Sequence, residues 1–469
     1  MRFRQHRDRG AVASTMSQPT APDGHGAGRD VPPPDGESDG GQSPGARPRR
    51  RALLWTVIAI GVVAIVVIAV MMWSGSQGSV SDAAQPPSSA AETSGPADAG
   101  SLDPELVAEL ETALDEGLAA SGVPGVIIGV WIPGEGEWVS ERGEAEVGTG
   151  EPIGPDNQQK IGSITKTIVS TVMMQVIGEA GFDVGLDDTL DRWYPDFPEA
   201  STITVRMLLN QSSGVGESGR AQVDRICADP HGIPTPDELI AIGAATPRAD
   251  FAPGDGFAYS NTNYYLLGGI LEQVTGTDLA TLIHDRITEP FGMDRSRFAP
   301  DGQVTAPLTH GYSVFCPELG SPVDTVDWSN GQSWAGGGMV STLDDLHAWG
   351  EALGEGAGVT PELQARRWSD LAPNFGRSGA SYGLGAGVEF DEATGCVLAI
   401  SHAGAEPGYG TNLAYYPQTG AVLAMLGNGD GATGEAVQEV GKALAPILGP
   451  ILNGSPTEPC AAPWAVGGR

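Results

Sequence analysis

The sequence predicts an α/β protein of the α+β kind, with an antiparallel sheet formed by both termini of a domain over 101–452. Helices flank the sheet, a large helical insertion interrupts it, and one transmembrane helix precedes it. Three observations predict this arrangement. Hairpin patterns stand at both ends of the domain, helical patterns and Gly/Pro loops fill the long stretch between them, and a charge-free apolar run of 22 residues lies ahead of everything.

Residues 1–51 are rich in Pro, Gly, Ser, Asp and Arg and lack apolar periodicity, which predicts a disordered cytoplasmic tail. The run "ALLWTVIAIGVVAIVVIAVMMW" at 52–73 spans about 33 Å as a helix, enough for a hydrocarbon core of about 30 Å. "RPRRR" at 47–51 directly before it places the N-terminus in the cytoplasm. The expected localisation is therefore single-pass in the cell membrane, with the domain extracellular. A cleaved signal peptide is the alternative, although its apolar core runs to only about 7–15 residues. Residues 74–100 read as a flexible stalk, and 453–469 as a C-terminal tail.

The domain opens with "DPELVAELETALDEGLAAS", whose apolar residues recur at helical spacing. "GVIIGVWI", the turn "PGEGE" and "WVSERGEAEV" then make a hairpin. "GTNLAYYPQTGAVLAMLGNG" repeats that form near the other end, and "GEAVQEVGKALAPIL" closes the domain as a helix. The net charge of −34 argues against nucleic acid or anionic lipid as partners of the domain. The expected partners are a small-molecule or peptide substrate, wall peptide included, and a membrane met only through the single helix. Four cysteines on the outer side can form disulfides in three pairings; Cys227–Cys316 with Cys396–Cys460 is favoured.

"GSITKT" at 162–167 holds one of only three lysines in the chain, against 22 arginines. Ser163 heads an apolar helix and Lys166 follows at i+3 on the same face. At its ordinary pKa about one lysine in a few thousand is neutral at pH 7, but burial can lower that pKa by several units. Ser163 as nucleophile and Lys166 as its activating partner are then chemically sensible, with the Ser163 N–H placed to help an oxyanion. Taken alone, Ser163 could equally cap the helix. "PGDGFAYSNTNYYLLGGIL" adds Tyr259 and Asn261 at the mouth of a second apolar helix. Tyr259 could serve as a phenolate base beside cations, and Asn261 could orient a substrate amide or hold the lysine. "LAISHAGAEPG" adds His402 on a strand, Gly404 where a substrate approaches the backbone, and the Ala405 N–H as a second oxyanion donor.

The set S-x-x-K, Y-x-N and H-x-G resembles that of the penicillin-recognising serine hydrolases. The resemblance is strongest to class C β-lactamases, secreted D-alanyl-D-alanine carboxypeptidases of actinomycetes, and related esterases and D-amino-acid peptidases. It extends over 103–450, through "TITVRMLLNQSSGV" and "GGGMVSTLDDLHAWGEAL", where Thr342 or Ser341 would cap a helix. It implies that Ser163 forms an acyl-enzyme and that Lys166 takes part in proton transfer. It makes Tyr259 the general base for acylation and Asn261 the partner of the substrate's acyl amide. His402 would lend a proton or partial positive charge beside Tyr259. Neither metal nor cofactor is implied. Ala403 stands where many relatives carry Thr or Ser, a hydroxyl that helps hold a terminal carboxylate. Its absence, with His402 in place of Lys, leans away from β-lactamase chemistry. The expected function is a membrane-anchored hydrolase of D-amino-acid peptides, D-alanyl-D-alanine carboxypeptidase-like. The alternatives are an esterase or amidase of the same machinery, a β-lactamase, and a non-catalytic ligand-binding or sensor domain.

Overall fold

The computed structural model describes residues 100–217, 219–430, 436–454 and 460. The predicted cytoplasmic tail, the transmembrane helix at 52–73, nearly all of the stalk and most of the C-terminal tail lie outside these residues. Among the described residues no helix is long and apolar enough to cross a membrane.

Helix α1 (Pro104–Ser121) starts where the Asp103 carboxylate accepts from the Glu105 and Leu106 N–H groups, with Pro at its first position. Such a cap is worth about 1 kcal/mol. The first hairpin follows as β1 (Gly125–Ile132) and β2 (Gly136–Gly143). The C-terminal half supplies β3 (Ala380–Tyr382), β4 (Gly387–Phe390), β5 (Val397–Glu406), β6 (Tyr409–Tyr416) and β7 (Ala421–Gly427). These seven strands form one sheet in the order β2-β1-β7-β6-β5-β4-β3, antiparallel throughout. Both ends of the domain meet at its centre, where Ile128 pairs with Met425.

Alternation along the strands decides what each face covers. Val126, Ile128, Leu423 and Met425 point to one face and pack with Leu110 of α1 and with Leu444. Leu444 lies on the closing helix at Ala436–Leu452. Ile127, Val422 and Leu426 point to the other face, into the larger core of the insertion. At that core's centre lies α2 (Thr165–Gly178), buried on every side from Thr165 to Val176. Beside it runs α3 (Asn261–Thr275). Thr342 caps the helix Leu343–Glu355 by accepting from the Asp345 N–H. Disulfides join Cys227 to Cys316 and Cys396 to Cys460, the favoured pairing.

Candidate active site

Ser163 lies in a single 3₁₀ turn, Gly162–Ile164, that runs into α2. Its hydroxyl does not cap that helix, whose N-cap position is Ile164. The turn is pressed against β5. A Cβ on Gly404 would come within 2.0 Å of the Ile161 carbonyl oxygen, and one on Gly162, at φ 51°, within 2.6 Å of the Ala405 nitrogen. Thr411 Oγ1 on β6 donates to that same Ile161 carbonyl at 2.9 Å. Both glycines thus let the nucleophile turn close on the strand. Gly404 serves this backbone packing, where the sequence suggested room for a substrate.

Lys166 is fully buried, and its Nζ has three neighbours: Gly336 O at 2.5 Å, Asn261 Oδ1 at 2.7 Å and Ser163 Oγ at 3.0 Å. Burial pushes the ammonium down to about 7, against the upward pull of Glu217 and Glu406. The charged amine donates to all three neighbours. The neutral amine keeps two protons for Asn261 and Gly336, which can only accept, and its lone pair then faces the Ser163 hydroxyl. Asn261 therefore holds the lysine, the second of the two roles expected for it. Its backbone N–H donates to Glu217 Oε2 at 2.6 Å, and its Nδ2 reaches Gln222 Oε1 at 3.4 Å.

Tyr259 is half-buried, hydrogen-bonded to Ser163, with Lys166 Nζ 5.0 Å from its ring centroid. Burial pushes its phenol well above the ordinary value, and the Ser163 hydrogen bond is what pulls the other way. The resting site therefore does not favour the phenolate suggested by the sequence. His402 is buried, its ring centroid 6.3 Å from that of Tyr259. Burial and the charge of Lys166 push it down to about 3. The positive charge expected of it is accordingly absent near neutral pH. Ala405 is exposed at the end of β5, its nitrogen beside the turn that carries Ser163.

Sequence reasoning missed Glu217, Gln222, Gly336 and Tyr382. Glu217 and Gln222 fall in "GVGESGRAQVDR", which has no spacing signal tying it to Asn261. Gln222 donates onward to Gln332 O and Ser333 Oγ, both at 3.1 Å, so the helix Gly219–Ala228 is anchored to the loop ahead of Gly336. Gly336 sits in a glycine run that betrays a turn but not a lysine acceptor.

A serine and a fully buried lysine on one turn, a tyrosine beside them and an antiparallel sheet behind define the architecture of the penicillin-recognising serine hydrolases. The chain belongs to the β-lactamase family, whose model matches residues 110–445. It is 30% identical over 268 residues to a D-aminopeptidase of Brucella anthropi, covering 56% of this chain and 48% of that protein. A D-aminopeptidase of Brucella ovis is 30% identical over 288 residues, 60% of this chain and 52% of that protein. The chain thus spans about half the length of the curated relatives it matches. Among solved structures, the D-amino acid amidase of Ochrobactrum anthropi SV3 superposes with a TM-score of 0.63 at 25% identity, over 74% of this chain and 98% of that one. A D-stereospecific amidohydrolase from Streptomyces gives 0.62 at 27% identity, over 72% and 97%. The penicillin-binding protein homologue of Pyrococcus abyssi gives 0.62 at 28%, over 73% and 77%.

Proposed function

We propose that the chain is a serine hydrolase that cleaves amide bonds on the carboxyl side of a D-amino acid with a free α-amino group. The observation that carries the chemistry is the Lys166 Nζ, held by two acceptors with its third position on Ser163 Oγ. In the neutral state Lys166 takes the Ser163 proton as Oγ attacks the carbonyl carbon. The N–H groups of Ser163 and Ala405 steady the oxyanion. The proton then passes from Lys166 by way of the Tyr259 hydroxyl to the leaving nitrogen, and the C–N bond breaks. Water attacks the ester by the reverse path, releasing the acid and restoring Ser163. Tyr259 acts as a relay that stays protonated, and Lys166 is the base.

The substrate class draws support from the names of the relatives, D-aminopeptidase and D-amino acid amidase. Glu217 adds a local reason. It is a half-buried carboxylate on the Asn261 N–H, suited to an α-ammonium at the acyl end. Amidase chemistry, one of the alternatives the sequence leaves open, is thereby favoured over D-alanyl-D-alanine carboxypeptidase. The apolar run at 52–73 further supports the proposal that the domain is tethered outside the cell membrane. Loss of the domain to protease added to intact cells tests that tether.

The activity is tested by turnover of D-phenylalanine amide, L-phenylalanine amide, N-acetyl-D-phenylalanine amide and an acyl-D-alanyl-D-alanine. The first should be the best substrate, with acetylation costing about tenfold or more in kcat/KM. Release of D-alanine from the acyl dipeptide without amide turnover would overturn the reading.

A further inference from the structure

Glu406 ends β5 directly after Ala405, and its side chain is buried. Its carboxylate accepts the Ser333 hydroxyl. Ser333 Oγ also accepts from Gln222 Nε2 at 3.1 Å, so its single proton is left for Glu406. Burial pushes the Glu406 carboxyl above the usual carboxylate range, yet one carboxyl oxygen accepts whether the group is ionised or protonated. The contact therefore survives titration of the acid.

Ser333 precedes the short helical turn Trp334–Gly337, which presents Gly336 O to Lys166. The Gly336 N–H donates to Ser333 O at 2.7 Å, so the serine and the lysine's acceptor move together. Trp334 stands between them at φ 29°, a left-handed conformation that a residue with a side chain keeps only where its surroundings enforce it. The turn also seats on the acid itself: a Cβ on Gly337 would fall 2.6 Å from Glu406 Oε1. From the helical side, Gln222 and the Tyr265 hydroxyl of α3 both donate to Gln332 O. Those contacts join the loop to helices, whereas Glu406 joins it to β5, next to the backbone N–H that serves the oxyanion.

We propose that Glu406 is a positioning residue for acylation: through Ser333 and Gly337 it locks the turn that bears the Lys166 acceptor to the strand end that bears the Ala405 N–H. Base and oxyanion donor then keep one spacing across Ser163, and a shift of about 1 Å between such groups can cost about a hundredfold in rate. The inference rests on the acyl-enzyme mechanism above and adds to it a residue that acts only through others.

The test uses the full-length chain as wild type, Glu406→Gln, Glu406→Ala and Ser333→Ala. It is run at pH 9, where Lys166 is deprotonated and stays so without Glu406, which pulls its pKa upward. The readouts are kcat and KM for D-phenylalanine amide, the rate at which a fluorophosphonate labels Ser163, and thermal unfolding. Glu406→Ala should lower kcat and the labelling rate together by roughly 10–100-fold, with KM changing less than about threefold. Glu406→Gln keeps an acceptor for Ser333 and should restore both rates to within about threefold of wild type. Ser333→Ala should lose up to about tenfold in both, the worth of one hydrogen bond. A lower melting temperature with unchanged kcat and labelling in Glu406→Ala would make the acid purely structural and overturn the proposal. So would a Glu406→Gln as slow as Glu406→Ala, since its charge and not the contact would then matter. Should Glu406→Ala fail to fold, wild-type rates in Ser333→Ala would overturn it equally. Labelling separates this inference from the substrate reading. If wild type leaves the amide intact, that reading fails, and the labelling rates of the four proteins still decide the role of Glu406.

Discussion

Lys160 and Lys166 are buried on either side of the nucleophile turn, and the regions around them make opposite use of a buried amine. Lys160 Nζ donates to the carbonyls of Thr325 at 2.9 Å and Trp328 at 2.8 Å, and Glu406, Asp327 and Asp324 pull its pKa upward. Lys166 also has two fixed acceptors, but its third position faces a hydroxyl that can give up a proton. Burial pushes both ammoniums down, Lys160 to about 8 and Lys166 to about 7. A lowered pKa therefore does not by itself make a base. What separates the two is where the lone pair points once the proton has gone. Lys160 fastens the loop that leads to Gly336, and Lys166 works on Ser163.

Substitutions can break or sharpen this contrast. The largest effect is expected for Lys166→Met, which should lower kcat by roughly 10³–10⁴-fold while leaving the protein folded, as thermal unfolding would check. In wild type, kcat/KM should rise with pH through about 7, because the base works only when deprotonated and burial has lowered its pKa. Next comes Glu217→Gln. KM for a D-amino acid amide should rise by roughly 10–100-fold, the worth of a hydrogen bond to a charged group. The same change removes an upward pull on Lys166, so the acid limb of the profile should move to lower pH. An unmoved limb would mean that Glu217 does not act on the base. The smallest catalytic effect belongs to Lys160→Met. It should cost about 1–3 kcal/mol of stability by stranding the Thr325 and Trp328 carbonyls, with kcat/KM falling less than tenfold. If Lys160→Met abolished turnover in a folded protein, the division of labour would be wrong.

Much of the fold was legible because its signals are local. The hairpins at β1–β2 and β6–β7 show as apolar runs around turn residues, and α1 carries its own cap and apolar spacing. The edge strand β3 and its neighbour β4 were not read, since they are three and four residues long and stand in a glycine-laden stretch. Ser163 and Lys166 were legible because a helix brings i and i+3 together. Glu217 and Tyr382 were not, because their partners Asn261 and His402 are distant in sequence and no periodicity marks either contact. Protonation was harder still. The sequence shows that Tyr259 and His402 can titrate, but the burial that pushes the first up and the second down exists only in the folded protein.

The most direct test of the Ser163–Lys166 assignment is intact-mass analysis of the full-length chain after exposure to a fluorophosphonate, on wild type, Ser163→Ala and Lys160→Met. Wild type and Lys160→Met should each gain one phosphonyl group, and Ser163→Ala none. An adduct that persists in Ser163→Ala, or its absence from wild type, would contradict the assignment of Ser163 as the nucleophile.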